Sequence, residues 1–196
     1  MSQATALVSE PPASGAAEDY SISLGMANLI GLPLFLLLAA AVVVPYGLLW
    51  GWTRLYLAFN EFMDWQRCIP AIIVGTIVHE GLHGLGWTVF GRLGPGSVRY
   101  GFNVRTVTPY AHCKVPIQAA AYRTGTILPG FALGVIPAVF GVAAENGFSI
   151  MFAAFFLAAA SGDFLCLWIM RTVSTDAWVT DHPTRAGCVV TGASAS

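Results

Sequence analysis

The run His79-Glu80-Gly81-Leu82-His83 sets two imidazoles four residues apart, with a carboxylate next to the first. On a helix, positions i and i+4 share one face, so both rings can hold a single zinc ion. Glu80 lies about 100° further round the helix. From there it can act as general base to a water on the metal without being a ligand. The pattern arises by accident in well under ~1% of chains of this length. A hydrolytic zinc site takes three protein ligands and leaves the fourth position to water. His112, His182, Asp163, Asp181, Asp176 and Glu145 are the candidates for the third.

Composition says where such a site sits. Of 196 residues, 56% are hydrophobic and only 10% are charged. Soluble domains carry roughly 25% charge, so this chain lacks the polar surface of a water-exposed globule. Nine basic residues against ten acidic ones leave no footprint for nucleic acid. Four stretches reach the roughly 20 apolar residues that a membrane helix needs. They are expected at about 29–52, 68–91, 124–144 and 147–170. Prolines 33, 45, 70, 129 and 137 in or near them predict kinks. No positive charge precedes the first span, and it is too long for a signal-peptide core, so it should be retained.

The fold class expected is an all-α membrane protein of about four transmembrane helices, with a small cytoplasmic β-hairpin between the second and third. The hairpin reading rests on Ser97–Val107, where Val98, Tyr100, Phe102 and Val104 alternate with polar residues. Residues 1–24 read as a disordered cytoplasmic tail, 25–171 as the transmembrane domain with a connection at 92–123, and 172–196 as a C-terminal tail. Arg92, Arg99, Arg105, Lys114, Arg123, Arg171 and Arg185 fall on one side of the membrane, Arg54 and Arg67 on the other. The excess of positive charge then places both termini and the 92–123 segment in the cytoplasm of a multi-pass cell-membrane protein. Trp50, Trp52 and Tyr56 would form the outer aromatic belt. The four cysteines show no paired spacing, and no disulfide is expected on the reducing side.

Depth selects among the candidate ligands. His83 precedes Arg92 by nine residues, about 13 Å at 1.5 Å per residue. Asp163 precedes Arg171 by eight, about 12 Å by the same rise. The expected topology brings these depths together, and an acid inside a span is a functional-site hypothesis by default. Glu145 falls at the opposite membrane face, and His112, Asp176, Asp181 and His182 fall in cytoplasmic segments. The expected ligands are therefore His79, His83 and Asp163 around one Zn2+ ion. Gly75, Gly84, Gly86, Ser161 and Gly162 would let the helices approach closely. Tyr110, His112 and Cys113, just before the third span, could lie on the substrate side of the site or behind its ligands. Asp181-His182-Pro183-Thr184-Arg185, with Gly187 and Cys188, reads as a turn.

An H-E-x-x-H in a membrane helix, with an Asp from a later one, resembles the site-2-type intramembrane metalloproteases. Their acidic motif has Gly after the Asp, whereas here Gly162 precedes Asp163. The blocks VHEGLHGLGW, PYAHCKVPI, ASGDFLCLW and DHPTRAGC together resemble more closely a family of small prokaryotic membrane proteins described as zincin peptidases, from about Met26 to Cys188.

The function expected is a zinc-dependent membrane-embedded peptidase acting near the cytoplasmic face on a peptide or membrane-protein substrate, with Glu80 as general base. A non-catalytic protein with a structural or transport-related metal site is the alternative. A polar cluster that joins helices without metal is a third reading. The carboxylate beside His79 favours the enzyme, because a structural site has no need of it.

Overall fold

A computed structural model describes residues 17–94, 96–103 and 108–191. Helices dominate. α1 (Leu24–Trp50) is capped by the Ser23 hydroxyl, which accepts from the Met26 amide. α2 (Trp52–Met63) follows directly, and α3 (Trp65–Phe90) starts at Asp64, whose carboxylate accepts from the Gln66 amide. The third long helix is built from α4 (Ala119–Pro129), a π-helical stretch Gly130–Val135, and α5 (Ile136–Ala143). The fourth combines α6 (Gly147–Ala159) and α7 (Ser161–Ile169), with an irregular residue at Ala160 and a closing turn Met170–Thr172. The π-helical stretch lies between Pro129 and Pro137. The Pro137 ring crowds the carbonyl one turn back and supplies no N–H, so the hydrogen-bond ladder shifts register there.

Four helices are long and apolar enough to cross a membrane: Leu24–Trp50, Trp65–Phe90, Ala119–Ala143 and Gly147–Thr172. Their outer surfaces carry the side chains that lipid favours. Leu29, Leu32, Leu36 and Leu37 of α1 are 60–70% exposed. Such an apolar exterior belongs to a membrane protein rather than to a soluble domain. Inside, α1 packs on α6 and α7, and Val42, Tyr46, Ile150, Ala153, Ala154 and Leu157 are buried together. α2 was not anticipated. The 53–67 segment reads as a charged connection, yet its helix buries Ala58 and Phe62 against α6 while Arg54 turns outward to Glu145.

Two antiparallel sheets complete the fold. β2 (Val98–Asn103) pairs with β3 (Thr108–Cys113) in the register Val98↔Cys113 and Tyr100↔Ala111. This is the hairpin expected from the alternation, although Val104 and Arg105 lie outside the described residues. The second sheet departs from the all-α expectation. β1 (Glu18–Ile22), β4 (Ile117–Gln118), β5 (Trp178–Asp181) and β6 (Ala186–Thr191) pair in the order β1-β6-β5-β4. Residues 18–22 and 178–191 therefore correct the tails expected at 1–24 and 172–196; residues 1–16 lie outside the described set. Burial is the physical reason. Val179, Cys188 and Val190 face a core with Ile117, Tyr122 and Met170, and Tyr20 of β1 packs against the same core. Gly187, at φ +126°, lies so close to the Tyr20 carbonyl that a Cβ there would overlap it. Of the turn expected at 181–188, residues 182–185 form one, with the His182 Nδ1 accepting from the Thr184 and Arg185 amides at 3.2 and 2.9 Å. Asp181 instead belongs to β5, and Gly187 and Cys188 belong to β6.

Candidate metal centre

His79 and His83 project from one face of α3, as their spacing requires, toward Asp163 in the first turn of α7. One ligand atom from each of the three residues lies within 4.8 Å of the others. His79 Nε2 is 3.2 Å from one Asp163 oxygen, and His83 Nε2 is 3.3 Å from the other. Both imidazoles are buried, and the carboxylate is mostly so. A carboxylate near the start of α7 is also favourably placed against the helix dipole.

His83 is held from behind. Its Nδ1–H donates to the Gly125 carbonyl of α4 at 3.0 Å, which leaves the Nε2 lone pair toward Asp163. The ring stacks on Trp87 at 5.4 Å between centroids, and Trp87 stacks on Tyr122 at 5.6 Å. The Trp87 indole N–H donates to the Tyr122 carbonyl at 3.1 Å. These contacts need α3 and α4 to touch backbone to backbone. A Cβ on Gly86 would stand 2.6 Å from the Gly125 Cα, and one on Gly125 would overlap the Trp87 ring.

Polar satisfaction tests whether a cation fits. Buried polar atoms normally have partners. Here His79 Nδ1 and Asp163 Oδ2 are buried without a hydrogen bond among the described residues, although Oδ2 is 3.2 Å from His79. Two imidazole nitrogens and a carboxylate converge without satisfying one another, and that donor set suits zinc.

Glu80 stands outside this trio, on the flank of α3 where β3 packs, with its carboxylate against the Ala111 backbone amide. The other candidates lie elsewhere. Glu145 pairs with Arg54 at the far end of the helices. Asp176 accepts from Ser174, and His182 caps its turn. Asp181 joins three elements: it accepts from the Tyr122 hydroxyl, from the Cys113 amide at 2.8 Å and from His112 Nδ1 at 3.2 Å. His112 is thus oriented by Asp181. The Cys113 thiol is buried and donates to the Val115 carbonyl at 3.4 Å, and burial pushes its pKa up to about 11. Tyr110 covers its cross-strand partner Gly101. Arg123 reaches the Met170 carbonyl at 2.6 Å and also that of Val173, fixing the far end of the helix that presents Asp163.

A family described as "putative zincin peptidase" matches residues 72–178. The chain belongs to this zincin peptidase family. The zincin match begins in α3 ahead of His79 and ends at Trp178, so it includes all three clustered residues, Glu80, the hairpin and α4. α1, α2 and β6 lie outside it. No curated protein and no solved structure matches the chain.

Sequence reasoning did not find Gly125, Trp87 or Tyr122. The first contributes a backbone carbonyl, which no residue type announces. Trp87 and Tyr122 read as ordinary apolar positions, although the i, i+4 spacing of His83 and Trp87 was an available signal.

Proposed function

We propose that this protein is a zinc-dependent peptidase embedded in the membrane, in which His79, His83 and Asp163 hold the ion and Glu80 is the general base. The observation that carries the reading is the convergence of the three ligand atoms within 4.8 Å, two of them on the helix that carries Glu80. A bound zinc ion supplies Lewis acidity, which lowers the pKa of a water and polarises a carbonyl. Glu80 accepts the proton of the attacking water and returns it to the departing amine nitrogen. His83, fixed by Gly125 and stacked on Trp87, keeps its Nε2 in place without rearrangement. The hairpin, lying against α3 beside Glu80, presents a substrate segment in extended form.

The cytoplasmic orientation belongs to this proposal. Its support is the excess of Lys and Arg in the segments on the hairpin side. Pairing of β1 with β6 and of β4 with β5 adds to it, because it gathers the segments at both ends of the chain and the start of α4 at one side. Substrates reaching such a site are peptides or membrane proteins at the cytoplasmic face.

The test is zinc content and peptide cleavage in purified wild type, Glu80→Gln and His83→Ala. Glu80→Gln should keep zinc and lose cleavage, whereas His83→Ala should lose both. Unchanged turnover in Glu80→Gln would overturn the mechanism.

A further inference from the structure

β3 has one edge paired with β2 and another turned toward α3 and β5. In an antiparallel pair, residues opposite each other alternate between those that exchange hydrogen bonds and those that turn their backbone groups outward. The Lys114 amide donates to the Ser97 carbonyl at 2.9 Å, just beyond the pair Val98↔Cys113. Arg99↔His112 and Gly101↔Tyr110 are then the bonded pairs, and Pro109, Ala111 and Cys113 present their backbone to the outer edge. Two contacts agree with this parity. The Cys113 amide donates to Asp181 at 2.8 Å, and the Ala111 amide meets the Glu80 carboxylate. The donors of this edge are thus taken, and Pro109 has none to offer. The Pro109 and Ala111 carbonyls remain, and neither accepts a hydrogen bond among the described residues. The edge also lies on the histidine side of the hairpin. Tyr100 of β2 rests on Gly84, which is about 40° further round α3 from the histidines than Glu80, where β3 sits.

We infer that the substrate is an extended segment seated on the outer edge of β3, held by its own amide N–H groups on the Pro109 and Ala111 carbonyls. This inference rests on the peptidase reading above. An edge that offers acceptors and no free donors selects its partner by chemistry: the segment must bring unbonded N–H groups. A helix has spent its N–H groups on its own carbonyls, so a helical substrate must unwind locally before it is seated. Proline is excluded wherever an N–H must face β3. The alternation of a strand sets the rest. A residue whose carbonyl turns away from β3, toward the histidines, is followed by one whose N–H turns to β3. The nitrogen of the cleaved bond therefore belongs to the set that faces β3. Seated on the Ala111 carbonyl, it stands beside Glu80, which the N–H of the same residue holds and which must protonate it.

The test uses purified wild type and the peptide it cleaves best from a fluorescence-quenched library. In each analogue one amide N–H, other than that of the cleaved bond, is replaced by an ester oxygen, which removes a donor and adds no bulk. KM should rise about tenfold for one of the two analogues altered two residues from the leaving nitrogen, the one seated on Pro109. It should stay within about twofold for the analogues altered at the residues next to that nitrogen, whose N–H groups turn away. Pro109→Ala supplies the same edge with a new donor, so KM for the unmodified peptide should fall about threefold at unchanged zinc content. A hairpin merely loosened by the substitution would raise it. An even response along the ester series, or a KM that does not fall in Pro109→Ala, overturns the seating and leaves the peptidase reading intact. Wild type that binds zinc but cleaves no peptide of the library overturns the peptidase reading, and this inference with it.

Discussion

The Nδ1 of His83 and the carbonyl oxygen of Gly125 lie 3.0 Å apart, across the contact between α3 and α4. This bond fixes the tautomer and direction of one of the two clustered rings, while the matching nitrogen of His79 has no partner among the described residues. The two imidazoles of one motif are therefore supported unequally. His83 carries the preorganisation.

That inequality predicts the effect of Gly125→Ala. The added Cβ displaces Trp87, the indole on which His83 stacks, and shifts the carbonyl that accepts its proton. Losing such support to a ligand weakens metal binding by about 10–100-fold. Competition for zinc with a chromophoric chelator, wild type against Gly125→Ala, measures it. Equal affinities would show that the contact does not tune the site.

Asp163→Asn keeps the size of the side chain and removes its charge. With no anionic oxygen left between the rings, zinc affinity should fall at least about tenfold. Asp163→Ala should emerge from purification without zinc. Full metal occupancy in both variants, by elemental analysis, would remove Asp163 from the ligand set.

Asp181 predicts a loss of stability rather than of metal. In Asp181→Ala the Tyr122 hydroxyl and the Cys113 amide lose their acceptor in a mostly buried place. Each unsatisfied buried donor costs about 1–3 kcal/mol, so the variant should unfold about 3 kcal/mol more easily. Denaturation in detergent checks this, with zinc content of the folded fraction as the control.

His112 should make part of that stability depend on pH. The hydrogen bond to Asp181 raises its pKa above the ordinary histidine value, against burial and the Arg99 charge across the strand pair. A folded-state pKa above the unfolded one gives stability that is complete below the unfolded value, about 6.5, and fades as pH rises through the folded value. His112→Asn should therefore lower Tm more at about pH 5.5 than at about pH 8.5. An equal loss at both would show that the contact does not depend on charge.

Membrane orientation is open to cysteine labelling, although the native Cys113 is a poor reporter. It is buried, and its thiol titrates only at about 11. Exposed positions serve better. In a background lacking the native thiols, Lys114→Cys should react only from the cytoplasmic side and Thr53→Cys only from outside. The reverse pattern would invert the topology.

The zinc motif was legible because its two imidazoles and its carboxylate are related by a single helical turn, which local spacing encodes. The meeting of Asp163 with the two histidines came within reach because helical rise, counted back from Arg92 and Arg171, gives both residues similar distances from their helix ends. The hairpin was legible from alternation at Val98, Tyr100 and Phe102. The four-stranded sheet was not. Its strands are two to six residues long and come from distant segments, and β1 is drawn from the polar run Glu18–Ile22. α2 was hidden by Arg54 and Glu61, charges that read as a connection. His112 and Cys113 were marked by type, but their surroundings depend on Asp181, nearly seventy residues away.

The position of β6 between β1 and β5 sets an order of events during synthesis. The pairs Glu18↔Val190 and Ile22↔Ala186 join a segment that precedes the four long helices to one that follows them. β1 is made before the four long helices and stays without its β6 partner until all of them have been made and β6 has followed. α7 packs against both strands. The helix that carries Asp163 is thus fastened on this side only after β6 has been made, later than both histidines it meets.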